Sequence, residues 1–161
     1  FALTNGTAGG PGGASTKQSS FRGAYVTSRW QLGASYNFNN DALGDRTMTG
    51  IFGGLRTGPI SWLAELDYIT DETPTGDQDM VVGLIEGNWR VGKGHNIKLT
   101  YEAFDPNDHL DEDQRERYSL IWEYSPIQYL QPRVGLRFYN GVPQVNSQNR
   151  DEIFAELHIY F

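Results

Sequence analysis

The sequence has no cysteine, no long apolar run and no excess of positive charge. Without cysteine, its 161 residues can form no disulfide, thiolate zinc site or cysteine nucleophile. A formal net charge of −7 argues against a nucleic-acid partner, because such proteins neutralise phosphates with basic side chains. No stretch approaches the roughly 18 apolar residues of a transmembrane helix. A helical membrane span is therefore excluded, whereas a β-barrel is not, because its strands are only alternately apolar.

The residues that are plentiful favour β-structure. The chain has 19 glycines, 4 tryptophans, 9 tyrosines and 8 phenylalanines. Aromatic residues favour strands, and glycine serves turns and close strand packing. Residues 1–18 carry no periodic apolar pattern and are rich in glycine, serine and threonine, so we expect a flexible loop or arm there. Residues 19–161 are expected to form one β-domain.

Alternation of apolar and polar residues with a period of two dominates after residue 18, and helical periodicity never lasts. This pattern predicts an all-β fold, an antiparallel meander of about eight or nine strands. The strands are expected over residues 19–27, 30–38, 46–57, 60–70, 80–91, 96–104, 116–124, 129–139 and 152–161.

The connections between these strands alternate in length. The short ones are "SR", "GP", "GKGH" and "SPIQ", and the long ones are "NNDALGD", "DETPTGDQD", "DPNDHLDEDQR" and "NGVPQVNSQNRD". Such alternation is typical of outer-membrane barrels, which have short periplasmic turns and longer extracellular loops. The acidic long connections are accordingly expected outside the cell.

The two faces of the predicted strands differ in charge. One face is uncharged, as in Trp62, Ala64, Leu66 and Tyr68, and a charge there at mid-membrane would cost roughly 2–4 kcal/mol. We expect this face to meet lipid and the charged face to line a lumen. The lumen-lining candidates are Glu65, Asp67, Glu86, Arg90, Lys98, Glu102, Arg117, Glu123, Arg133, Arg137, Glu152, Glu156 and His158. Arg137 is expected to pair across strands with a carboxylate such as Glu156.

The aromatic residues are sorted by turn length. Four tryptophans lie within about three residues of a short turn, and tyrosines and phenylalanines lie toward the long connections. We interpret them as two aromatic girdles at the membrane interfaces. The girdle residues are Trp30, Trp62, Trp89 and Trp122 at one level, and Tyr36, Tyr68, Tyr101 and Phe138 at the other. A soluble β-sandwich with aromatic core residues is the alternative.

The chain ends "DEIFAELHIYF", with apolar residues at every second position and a final aromatic residue. This pattern resembles the C-terminal signal of bacterial outer-membrane β-barrels, and the stretch from Tyr101 to Gly141 also looks porin-like. The resemblance implies that Ile153, Leu157, Ile159 and Phe161 are read by the barrel-assembly machinery. It further implies the outer membrane of a Gram-negative-type bacterium as the location, with outer-membrane lipid as a partner.

Two strand counts are compatible with the pattern. If residues 19–38 form one long strand, the chain is a complete eight-stranded barrel. If "GAYVTSRWQLGASY" turns as "GGLRTGPISWLAELDY" does at Gly58 and Pro59, there are nine strands. The second interpretation, which we favour, makes the chain the C-terminal part of a larger barrel.

Catalytic and metal sites find little support. The histidines His95, His109 and His158 have no local serine partner in a recognisable motif, so we expect no catalytic residue, no cofactor and no enzyme activity. The acidic stretch 105–113 is expected to be a solvated loop. Its alternative is a calcium site built from Asp105, Asn107, Asp108 and Asp111, although the spacing lacks the glycine and terminal glutamate of an EF-hand.

These features together predict a porin-like channel or scaffold through which small hydrophilic solutes diffuse. A first alternative is a barrel that sheathes a partner protein such as a multihaem cytochrome. The haem would then belong to the partner, because no haem motif is present. A second alternative is an outer-membrane barrel enzyme acting on lipid or peptide. Pore lining and simple filling of the barrel interior remain equally open for the charged face.

Overall fold

The structure is a computed structural model that describes residues 2–5, 17–41, 44–73, 76–143 and 145–160. Within these ranges no helix is long and apolar enough to cross a membrane. The strands are β1 (Ala2–Asn5), β2 (Lys17–Val26), β3 (Trp30–Asp41), β4 (Gly44–Thr57), β5 (Ile60–Thr73), β6 (Gly76–Gly92), β7 (His95–Asp105), β8 (Arg115–Tyr124), β9 (Leu130–Asn140) and β10 (Glu152–Ile159). A single 3-10 turn, Asn146–Gln148, lies between β9 and β10.

The strands form one antiparallel meander sheet in the order of the chain, from β1 to β10. This confirms the predicted all-β meander. The sheet is open, because β1 and β10 pair with each other through none of the described residues, and each pairs only with its neighbour in sequence. The described strands do not themselves make the closed barrel that the sequence predicted.

All nine predicted strands are present, and those around two expected long loops are longer than predicted. β3 and β4 approach each other to residues 41 and 44, and β5 and β6 to residues 73 and 76. The residues at these hairpin ends continue the backbone pairing between strands. Because they are polar on both faces, the sequence there shows no alternation of apolar and polar residues. Of the four long connections expected from the sequence, two stay long: 106–114 after β7, and 141–151 after β9, where residue 144 is not described.

The N-terminal segment differs from the expected arm. Ala2–Asn5 pairs antiparallel with Lys17–Ser20, whereas residues 6–16 lie outside the described part of the chain. The single strand proposed for 19–38 is wrong, because β2 and β3 are separate antiparallel partners. Thr27 makes the turn between them: its Oγ1 accepts the Trp30 N–H at 3.0 Å and donates to the Trp30 carbonyl at 2.9 Å.

Two of the short turns require glycine. Gly58 and Gly94 have φ of +61° and +75°, the left-handed region that L side chains rarely adopt. A Cβ on Gly94 would also lie 2.5 Å from the carbonyl oxygen of Ser125, in the adjacent turn. These turns place the starts and ends of neighbouring strands at one common level.

The more buried face of the sheet is the charged one. In β8, Ile121 is 8% exposed, whereas its neighbours Leu120 and Trp122 on the opposite face are 42% and 40% exposed. The buried side chains on the charged face are Phe52, Ile69, Met80, Ile121, Ser119 and Glu123. The sheet is therefore curved toward its charged face, which shields side chains there and spreads those on the convex side.

Glycines let aromatic rings lie flat on this concave face. Phe52 is directly opposite Gly33, and Phe154 is directly opposite Gly135. A Cβ on either glycine would come within 2.4 Å of the facing ring. The two rings thus cover the backbone of a neighbouring strand and supply apolar packing between the charged residues.

Candidate functional site

The concave face carries every charged side chain that the sequence assigned to a lumen. Residues opposite each other in an antiparallel pair share a face, and the register places Glu102 opposite Arg117, and Arg137 opposite Glu152. The register puts the whole set on the same face: Glu65, Asp67, Glu86, Arg90, Lys98, Glu102, Arg117, Glu123, Arg133, Arg137, Glu152, Glu156 and His158. That they line a pore stays a prediction.

Alternating charges run across the last five strands, from β6 to β10. We call Glu86, Lys98, Glu123, Arg133 and Glu156 the charge ladder. Lys98 Nζ lies 3.9 Å from both Glu86 Oε1 and Glu123 Oε1. Arg133 Nη1 lies 4.0 Å from Glu123 Oε1, and Arg133 Nε donates to Glu156 Oε2. In the charge ladder, each basic side chain compensates carboxylates on the neighbouring strands. These contacts link adjacent strands through their side chains.

Glu123 is the centre of this ladder and one of the least exposed polar residues, at 9%. Its Oε2 accepts a hydrogen bond from Asn96 Nδ2 at 3.0 Å, while its Oε1 faces Lys98 and Arg133. A buried carboxylate needs such partners, because an uncompensated charge away from water is costly. The period-two pattern predicted that Glu123 lies on the charged face. The strand register shows which residues are its partners.

Further ion pairs lie toward the long-loop end. Arg117 donates to both carboxylate oxygens of Glu102, with Nη2 2.6 Å from Oε1. Arg137 Nη1 lies 3.0 Å from Glu152 Oε2. Arg137 thus pairs across strands with a carboxylate, as expected, but the partner is Glu152 and not Glu156, because the β9–β10 register sets Glu156 opposite Arg133.

One ion pair reaches across two intervening strands, β3 and β4. Arg22 on β2 lies 3.4 Å from Glu65 on β5, and its guanidinium stacks 3.7 Å above the ring of Phe52 on β4. Small residues between them, including Gly33, leave this path open. Arg22 was absent from the lumen-lining candidates, although its place in the period-two pattern of β2, next to Gly23, could have assigned it to the charged face.

Another feature that sequence reasoning missed surrounds Gly50. Asp67 Oδ1 and Ser35 Oγ are buried side-chain atoms without a hydrogen-bond partner. A Cβ on Gly50 would lie 2.0 Å from the first atom and 2.7 Å from the second. Only glycine therefore leaves room for the two polar groups, and only the register brings Ser35, Gly50 and Asp67 side by side.

A cleft of about 570 Å³ lies on the concave face between β5–β9 and the 3-10 turn. Its walls combine carboxylates, arginines, aromatic rings and amides, notably from Glu65, Glu102, Phe104, Arg117, Tyr139 and Gln148. The β9–β10 connection is held by its own hydrogen bonds, including Gly141 N–H to Asn149 Oδ1 at 2.9 Å. The lining also includes apolar side chains such as Val82 and Leu84, and the cleft is large enough for water and small hydrophilic solutes. Nothing in the sequence predicted that Gln148, in the 3-10 turn, would line this cleft.

The convex face carries the aromatic residues predicted as girdles. Tyr101, Tyr118 and Phe138 form one row across β7–β9, and Trp89 and Trp122 flank Ile97 nearer the short turns. Tyr36 and Tyr68 lie on either side of Thr49, and Trp30 and Trp62 on either side of Leu55. The structure thus sorts these rings into two levels on one face, and contact with membrane interfaces stays a prediction.

The last strand keeps its predicted alternation. Ile153, Leu157 and Ile159 lie on the convex face and are exposed, Ile153 at 80%. Phe161 lies outside the described residues. Recognition by an assembly machinery remains a prediction from the resemblance.

The three histidines lie in unlike surroundings. His95 stacks on Tyr124 at 4.2 Å between ring centroids, and His158 Nε2 lies 3.2 Å from Glu156 Oε2. His109 lies between two carboxylates, with Nε2 3.5 Å from Asp79 Oδ2 and Nδ1 3.3 Å from Asp108 Oδ1.

The calcium candidates Asp105 and Asp108 have different neighbours, and a calcium site in this loop stays a prediction. Asp105 accepts hydrogen bonds from Asn107 N–H and Gln114 within its own loop. The side chains that converge are Asp79, Asp108 and His109, whose potential ligand atoms lie within 4.8 Å of one another. Asp79 lies beyond the aromatic rows, and a hydrogen bond from Thr70 lowers the pKa of its carboxyl below the ordinary value.

No family model matches the chain, and no curated protein or solved structure with which it was compared matches it either.

Proposed function

We propose that the chain forms part of a transmembrane β-barrel in the outer membrane of a Gram-negative-type bacterium. The convex face meets lipid, and the concave face lines a lumen. The barrel acts as a porin-like channel or scaffold for passive passage of small hydrophilic solutes.

The observation that carries this proposal is the inverted distribution of apolar and charged side chains. Among the described strand residues, the large exposed apolar side chains lie on the convex face, apart from Val26 and Leu63 on the other face and Val91 at a bulge. Meanwhile Glu123 is buried on the concave face. A protein surrounded by water has the opposite arrangement. Lipid outside and water inside would satisfy both faces.

The size of the exposed apolar surface supports a lipid environment. These side chains are each 40% to 80% exposed. Together they amount to on the order of 2,000 Å², since a large aromatic side chain has about 150–250 Å². Soluble monomers rarely expose patches above a few hundred Å². At about 25 cal/mol per Å², covering this face is worth on the order of 50 kcal/mol, more than the usual stability of a whole domain.

Strand length and edge chemistry also fit. β2 to β10 have 8 to 17 residues, and about 9–11 tilted residues cross a bilayer. Unpaired backbone groups in hydrocarbon cost several kcal/mol each, so the proposal requires partner strands along the outer edges of β10 and of β1–β2. The proposed assembly is therefore a closed barrel of which these strands are a part.

The paired charges favour a hydrophilic wall with little net field. Each arginine or lysine of the ladder, together with Arg117 and Arg137, contacts a carboxylate on a neighbouring strand. A wall of compensated charges attracts water without strongly repelling either sign of ion. We infer modest ion selectivity for the channel.

Conductance of the purified protein in planar lipid bilayers tests the channel. We expect stepwise conductance that changes when Lys98 or Arg117 is replaced by glutamate. Correctly inserted protein without conductance would contradict the channel. Co-purification of a haem protein would then support the sheath, and lipid hydrolysis lost on replacing one histidine would support an enzyme.

A further inference from the structure

We propose that Asp79 and His109 bind a divalent transition-metal ion such as Zn²⁺ at the long-loop end of the sheet, with Asp108 positioning the imidazole ring. The site joins β6 to the connection 106–114. It is independent of the proposed channel, because it lies outside the charged concave face.

The distance between the two ligand atoms fits an ion. His109 Nε2 and Asp79 Oδ2 are 3.5 Å apart, longer than a good hydrogen bond between nitrogen and oxygen. Ligand atoms of a tetrahedral zinc ion, with bonds of about 2.1 Å, are separated by about 3.4 Å. An ion between these atoms would need little movement of either side chain, and water would complete its coordination.

The other ring nitrogen has the partner that metal-bound histidines usually have. Asp108 Oδ1 lies 3.3 Å from His109 Nδ1, where it can accept the Nδ1–H and leave the Nε2 lone pair for the ion. Asp79 is also oriented by neighbours: Thr70 Oγ1 donates to its Oδ1 at 2.7 Å, Tyr68 hydrogen-bonds the same carboxylate, and Oδ2 faces the imidazole. Each proposed ligand side chain is thus oriented by a hydrogen-bond partner on the side away from the ion.

The backbone brings these residues together without help from an ion. Asp108 N–H donates to the Asp79 carbonyl at 3.0 Å, and Gln78 Nε2 donates to the Pro106 carbonyl at 2.6 Å. His109 N–H donates to Asn107 Oδ1 at 3.1 Å. The connection is therefore already docked on β6, so an ion would not have to order it first.

The ligand set favours a transition metal over calcium. Imidazole suits zinc, copper and nickel, whereas calcium takes about six to eight oxygen ligands. The nearby Asp105 carboxylate is engaged with Asn107 N–H and Gln114. Mixed nitrogen and oxygen ligation therefore describes this cluster better than an all-oxygen cage.

A second histidine–carboxylate pair provides an internal comparison. His158 Nε2 lies 3.2 Å from Glu156 Oε2, but that same oxygen accepts from Arg133. The arginine occupies the carboxylate and repels a cation. We therefore expect no ion between His158 and Glu156.

Titration of the full chain in detergent with Zn²⁺ by calorimetry, and with Cu²⁺ by electron paramagnetic resonance, tests the site. We expect one ion per chain and coupling to one histidine nitrogen. His109→Ala and Asp79→Asn should each weaken binding at least tenfold, and Asp108→Asn should weaken it about tenfold. His158→Ala is the matched control and should leave affinity unchanged.

A second measurement follows the connection itself. Zn²⁺ should slow cleavage at Glu112 by a glutamate-specific serine protease, and a chelator should reverse the protection. Asp79→Asn changes no side-chain size, so it tests the site even if His109→Ala fails to fold. Unchanged affinity in folded His109→Ala or Asp79→Asn, or equal loss in His158→Ala, would overturn the proposal.

Discussion

The two faces of the sheet share one backbone and have opposite relations to burial. On the convex face, Leu120 and Trp122 are apolar and exposed. On the concave face, Ser119 and Glu123 of the same strand are polar and buried. Curvature explains the burial, and the difference in chemistry is the basis of the proposal that one face meets lipid and the other lines a lumen. The contrast teaches that burial alone does not identify the core of this molecule, because the shielded side is also the charged side.

The largest expected effect comes from placing a charge on the convex face. Leu136 lies between Leu120 and Ile153 in a row midway between the two aromatic levels. Leu136→Arg should destabilise the inserted protein by roughly 2–4 kcal/mol, because hydrocarbon does not solvate the guanidinium. Urea unfolding in phospholipid vesicles measures the change. Leu136→Met is the control, and an arginine variant as stable as this control would remove the distinction between the faces.

The next effect comes from the centre of the charge ladder. Glu123→Ala should destabilise the protein by about 1–3 kcal/mol, because Asn96 loses its acceptor and Lys98 and Arg133 lose a shared carboxylate. Glu123→Gln keeps an acceptor for Asn96 and should cost less. The same unfolding assay compares them, and an alanine variant without loss would show that water fully screens this face.

A smaller effect is expected where a ring covers glycine on the concave face. In Gly135→Ala the new methyl would lie 2.4 Å from Phe154 Cζ and 3.1 Å from Ile121 Cγ1. The ring, under the Arg137 guanidinium at 4.2 Å, must shift, at a cost of about 1–2 kcal/mol. Gly83→Ala, whose nearest neighbour would be 3.8 Å away, should cost little. Equal unfolding midpoints for the two variants would contradict tight packing at Gly135.

The smallest effect is expected from a single ion pair at the rim of the concave face. Arg137→Leu removes the contact with Glu152, whose side chain is 44% exposed, so the loss should be below about 1 kcal/mol. Membrane insertion, measured by heat-modifiable gel mobility, should be unchanged. A loss of insertion as large as that of Leu136→Arg would mean that residue 137, too, meets lipid.

Much of this comparison could be predicted from the sequence. Period-two alternation placed Leu136 and Arg137 on opposite faces, and the register confirms it. The signal is reliable where one face is apolar. It failed where the β5–β6 hairpin ends, at the end of β5 and the start of β6. Polar residues cover both faces there, and strand pairing continues without any alternation in the sequence.

The sequence could not predict which charged side chains of the concave face pair with each other. Pairing Arg137 with Glu152 rather than Glu156 depends on a four-residue difference in register. The approach of His109 to Asp79 depends on how the connection 106–114 folds back on β6. Closure of the sheet depends on what pairs with the edges of β10 and β1–β2, for which alternation carries no signal.

The central claim is that the convex face contacts lipid, and paired labels at neighbouring residues test it most directly. Because the natural chain has no cysteine, Leu136→Cys and Arg137→Cys each create one labelling site. A fluorophore at each site is compared in vesicles of ordinary and brominated phospholipid. The account predicts strong quenching by brominated lipid at 136 and little at 137. Equal quenching at both sites, or at neither, would contradict the assignment of the faces and the barrel proposed from it.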